Sequence, residues 1–134
     1  EKHCYEGALL RGTDLRYADL RGANFAGADM GKADLTEANL SESSLREVIL
    51  NGANLTGAQL RGTFLTEAIA LEANLHQAIL VNARLERANF TDANLTEADI
   101  SDANLTGAIL AKVRFYQANL RRSRLNRADL SRAD

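Results

Sequence analysis

Residues 88–110 read ANFTDANLTEADISDANLTGAIL. Four times in succession an Ala, then an Asn or Asp, then a large apolar residue is followed by two polar or small ones. A fixed period is the first thing to test in any chain, because it decides the architecture before any helix or strand is assigned. The period here is five. Working outward, every fifth residue from Leu10 to Leu130 gives 25 positions: 19 Leu, three Phe (Phe25, Phe90, Phe115), Met30, Ile100 and Ala70. Two residues before each of these centres, 19 of 25 positions are Ala. One residue before, 14 of 25 are Asn or Asp. No insertion breaks the register.

Five fits neither standard element. On an α-helix, steps of five would turn the apolar residue by about 140° each time and spiral it around the axis. On a straight strand, odd spacing sends alternate Leu to opposite faces. A short extended piece solves the problem if the chain then turns. Ala and Leu, two apart, face inward, and the Asn or Asp between them faces outward. The next two residues form a corner, so that the following Ala and Leu also face inward. Eight of nine glycines (Gly7, Gly12, Gly22, Gly27, Gly52, Gly57, Gly62 and Gly107) lie two residues after a centre. A type II turn needs positive φ at its second central residue, which glycine supplies without steric cost. Stacked coils then pair backbone groups along the axis, ~4.8 Å apart.

The units Ala18–Gly22 (ADLRG), Ala93–Glu97 (ANLTE) and Ala103–Gly107 (ANLTG) resemble the A(D/N)LXX consensus of the pentapeptide-repeat family. The resemblance covers essentially the whole chain. It implies an all-β fold: a right-handed quadrilateral parallel β-helix, a solenoid with four pentapeptides per coil and about six coils. Residues 1–134 form a single domain on this basis. Solenoid ends expose core and unpaired edge. No helical pattern flanks the repeats, and the sequence stops at Ala133–Asp134, within a unit. The expectation is a piece shortened at both ends, or rods that associate end to end.

With four units per coil, residues twenty apart stack. One outward stack then reads Leu9, Asp29, Ile49, Ile69, Asn89, Ile109, Asp129, with four aliphatics where Asn or Asp is usual. Phe64 falls on the preceding face, Leu71 and Val81 at corners, and Ile79 on another face. Exposed apolar patches mark interaction sites. Ile49, Phe64, Ile69, Leu71 and Ile109 are therefore the candidate protein-interaction surface. The alternative is that β-branched residues simply pack well on a sheet face. Ala70 is the one small centre, read as drift in the repeat rather than a ligand cavity.

The chain carries 16 basic and 18 acidic residues, net −2. The balance is uneven: residues 31–110 hold 5 basic and 11 acidic, residues 111–134 hold 7 and 2. Arg84, Arg121, Arg122, Arg124 and Arg127 should gather near one face. This candidate basic patch suits an acidic partner or phosphates, or is simply a solvated surface.

Catalysis finds little support. His3 and His76 are the only histidines, and Cys4, the only cysteine, forms no internal disulfide. No catalytic, cofactor-binding or metal-ligating residue is assigned, and no small-molecule substrate is implied. No apolar run approaches the ~18 residues of a membrane-spanning helix.

Three functions remain. The first is a non-catalytic rigid scaffold or protein-interaction module with an unidentified protein partner. The second, implied by quinolone-resistance members of the family, is a DNA mimic that inhibits gyrase. Full mimicry of duplex charge over ~30 Å needs something near 18 negative charges, far more than this chain's net. The third is nucleic-acid binding through the Arg-rich end, where Phe115 and Tyr116 are the only aromatics nearby. The uninterrupted AsnLeuThr and AspLeuArg units look like family members from cyanobacteria and chloroplasts. That resemblance implies the thylakoid lumen, periplasm or cytoplasm, and fold does not carry function.

Overall fold

The computed structural model describes residues 3–134, so the first two residues of the expected domain lie outside the described ones. Every β-bridge is parallel and joins residues twenty apart, from Cys4↔Asn24 to Ile109↔Asp129. Four five-residue units therefore make one coil, and the outward residues sort into four flat faces. The first runs from Cys4 through Phe64 to Arg124, and the second from Leu9 through Ile69 to Asp129. The third begins at Asp14 and the fourth at Asp19.

The Ala and Leu positions fill the axis. From Leu20 to Val113 almost every one of these side chains is buried to 3% exposure or less, Leu20 at 8% being the main exception. Ala keeps opposite walls close, and Leu fills what remains. Tyr5 is a further centre beyond the 25 read from the sequence. Its ring stacks on Phe25 of the next coil, with centroids 4.9 Å apart and planes at 11°.

The unit Ala33–Glu37 shows how the coil satisfies its amides. Ala33 N–H donates to the Met30 carbonyl across the corner, at 3.0 Å. Asp34 N–H donates down to Thr13, at 2.9 Å. Leu35 and Glu37 donate up to Asn54 and Thr56, at 2.7 and 2.9 Å. One amide is left over, that of Thr36, and it donates to Asp34 Oδ1 at 3.0 Å. All fourteen Asn and Asp of the repeat accept the amide two residues on in this way. Obligatory backbone donors must find acceptors, and Asn and Asp readily bond the backbone two residues on. The consensus Asn/Asp is thus the fifth amide's partner.

The corners are as expected, but glycine is not their usual occupant. All 26 residues two after a centre, from Gly7 to Arg132, have positive φ, and eighteen of them are not glycine, with φ between 54° and 61°. L-residues resist this region by about 1–2 kcal/mol each, so pairing on both sides of every corner must hold it.

Ala70 leaves no opening to solvent, since it is 0% exposed. Phe90 stands one coil above it in the same stack, also buried, and carries as many extra side-chain carbons as Ala70 lacks. Val48 replaces the usual Ala in the coil below.

Candidate functional site

The second face holds the aliphatics. Bridges Asp29↔Ile49, Ile49↔Ile69, Ile69↔Asn89 and Asn89↔Ile109 fix their order. Ile49 and Ile69 are direct neighbours, and Ile109 lies two coils beyond Ile69 with Asn89 between. Ile69 and Ile109 are each 39% exposed, while Ile49 is half-buried. Leu71 is half-buried at the corner adjoining Ile69, in a shallow groove of about 320 Å³ lined also by Arg11, Lys32, Asn51, Gly52 and Glu72. Leu9, 87% exposed, is cut off from the others by Asp29.

An aliphatic at these positions changes the backbone accounting. Ile69 offers no acceptor for the Leu71 amide, which turns instead to Asn51 Oδ1 in the coil below, at 3.0 Å. The stretch Ile49–Leu71 thus keeps one corner amide satisfied by borrowing a side chain from its neighbour.

Phe64 is not part of this group. It sits on the first face, between Ser44 below and Arg84 above. Arg46 and Arg84 both lie over its ring, their guanidinium carbons 5.3 and 5.0 Å from the centroid. Arg46 was not anticipated. Its position eighteen residues before Phe64 marks a corner in the coil below, but nothing in the sequence says that its side chain reaches the ring.

The coil register brings Arg121, Arg122, Arg124 and Arg127 to the first face and its two corners, with Arg84 two coils below Arg124. Arg122 is committed elsewhere. Its guanidinium donates to both oxygens of Asp102, at 2.7 and 2.9 Å, and holds that carboxyl below the usual carboxylate range. The strongest carboxylate shifts lie away from both surfaces. Arg16, by its side chain and then its amide, lowers Asp14 to about 2, and Arg21 does the same for Asp19.

His76 occupies a corner, where Nδ1 lies 3.0 Å from the Thr96 carbonyl oxygen. Among the described residues no three His, Cys, Asp or Glu side chains gather as a metal-holding group.

The model of the family described as "Pentapeptide repeats" matches in eight copies, over residues 6–41, 33–69, 72–107 and 98–134. The chain belongs to the pentapeptide-repeat family. Among solved pentapeptide-repeat structures, a trypsin-treated variant of QnrB1, a plasmid-mediated fluoroquinolone resistance protein, is similar with a TM-score of 0.92 at 19% identity. The match covers 99% of this chain and 68% of that one. HetL, involved in heterocyst differentiation regulation in the cyanobacterium Nostoc sp. strain PCC 7120, is similar at 28% identity and a TM-score of 0.53, covering 97% and 75%. A pentapeptide-repeat protein from the Arabidopsis thaliana thylakoid lumen is 30% identical, covering 81% and 62%, with a TM-score of 0.37. No curated protein sequence matches the chain. Pentapeptide-repeat proteins are right-handed quadrilateral β-helices and generally serve structure or interaction rather than catalysis.

Proposed function

We propose that the chain is a non-catalytic rigid scaffold, one domain over residues 1–134, that holds a protein partner on its second face. The 132 residues from 3 to 134, at twenty per coil, make about six coils, right-handed as in the family, and a rod roughly 30 Å long. The observation that carries the reading is the placement of Ile49, Ile69 and Ile109 in one outward stack. The fold itself asks for Asn or Asp there, because an aliphatic forfeits the amide partner. Apolar side chains that the core does not use and the backbone does not need are what a partner would bury. Leu71 extends the surface around the corner.

The partner complements an aliphatic strip rather than a charged one. The test is capture from a lysate of the source organism, with an Ile49→Asp/Ile69→Asp double variant as control. A partner held by the native chain and lost by the variant supports the reading. A partner held equally by both removes it.

DNA mimicry and gyrase inhibition form the weaker reading. The net charge is −2, and residues 111–134 carry 7 basic against 2 acidic side chains. The likeness to QnrB1, at 19% identity, extends to the fold alone. Inhibition of gyrase supercoiling at micromolar protein would reinstate it.

A further inference from the structure

The first face differs in character from the second. Arg46, from the coil below, and Arg84, from the coil above, meet on one half-buried ring, Phe64. A guanidinium held on a ring face keeps its in-plane N–H donors free, and is pre-organised for two-pronged hydrogen bonding to a carboxylate. Neither Arg46 nor Arg84 is in an ion pair among the described residues, and the same holds for Arg121, Arg124 and Arg127.

The carboxylates bordering this face from Phe64 upward all accept hydrogen bonds. Glu67 accepts from Arg87 at 2.6 Å, and Asp102 from Arg122. Glu86 accepts from Asn104 at 2.8 Å and from Thr66 at 3.4 Å. Glu86 keeps its charge, since its donors are neutral, but from Phe64 upward the arginines of this face and its corners outnumber the carboxylates Glu67, Glu86 and Asp102, and positive charge prevails around one ring.

We propose that this surface binds an acidic, carboxylate-bearing segment of a protein partner, seated between the Arg46–Phe64–Arg84 cluster and Arg124. Charge complementarity selects the class. A nucleic acid fits less well. The outward stack of this face offers one ring, where single strands stack successive bases on successive aromatics. The surface is distinct from the aliphatic one, so either can fail without the other.

The test uses the whole chain and three fluorescent probes: a decapeptide alternating Glu and Ser, a single-stranded oligonucleotide and a duplex. The peptide should bind, more weakly as salt rises. Arg46→Gln/Arg84→Gln should weaken it by about tenfold or more. Phe64→Leu should weaken it less, by loosening both guanidiniums. Ile79→Asn, a neutral change on the fourth face, should leave it unchanged. Circular dichroism of each variant checks that the coil is intact. No peptide binding, binding unaffected by the Arg46/Arg84 variant, or preference for either oligonucleotide would each overturn the proposal.

Discussion

Ala70 and Phe90 should behave as one unit. Both are buried, at 0% and 1% exposure, and they occupy consecutive levels of one stack. Restoring the repeat at one level alone should harm the protein. Ala70→Leu inserts a branched side chain beneath a ring that already occupies the space, and overpacking of this kind costs about 1–3 kcal/mol. Phe90→Leu empties space above a small residue, at roughly 1–2 kcal/mol. The double variant returns both levels to the commonest residue of the repeat. It should therefore cost less than the sum of the single changes, with a favourable coupling on the order of 1 kcal/mol. Guanidinium unfolding followed by circular dichroism measures all four proteins. In a thermal scan, each 1 kcal/mol corresponds to about 3–5 °C for a chain of this size. Strict additivity would refute the shared-space argument. Stabilisation by Ala70→Leu alone would show an unfilled cavity at that level.

Three further outcomes follow from particular atoms. Ser43 Oγ is buried without a hydrogen-bond partner. Ser43→Ala should raise stability by about 1 kcal/mol in the same unfolding assay. Ile109→Asn should return an acceptor to the Ala111 amide, stabilising the fold by about 0.5–1 kcal/mol, while weakening capture of the partner on the second face. The Asp14 carboxyl should titrate by NMR near 2 rather than near its ordinary 3.8, moving up in Arg16→Ala. Its pKa is lowered in the folded chain, so its contribution to stability is complete above about pH 4 and fades as pH falls towards 2. Asp14→Asn should flatten that part of the acid limb.

The architecture was legible because a period of five acts on every residue at once, and the family it resembles sets four such units to a coil. The inward Ala and Leu and the positive-φ corners follow from counting, while the four faces and the order of Ile49, Ile69 and Ile109 follow once the family resemblance supplies four units per coil. The glycines revealed the corner but understated it. Non-glycine residues such as Glu37 and Arg87 adopt the same φ, because the pairing around them imposes it. The role of the Asn/Asp position emerged only when each amide was followed to its acceptor. The Phe64 cluster was less legible still. Register places Arg84 above Phe64, yet whether a long side chain lies on a ring, as Arg46 does, or pairs with a carboxylate, as Arg122 does, depends on rotamers that no spacing encodes. Register already sets Phe64 and Ile69 on different faces, but that Phe64 is covered by two guanidiniums while Ile69 is not could not be read from it.

The isoleucines themselves provide the most direct test of the second face. The chain has five: Ile49, Ile69 and Ile109 on that face, Ile79 on the fourth, and Ile100 in the core. With the isoleucine methyl groups labelled, addition of the captured partner should shift or broaden the signals of Ile49, Ile69 and Ile109. Those of Ile79 and Ile100 should stay in place. Changes confined to Ile79, or no change in the three outward methyls on binding, would contradict the assignment of this face.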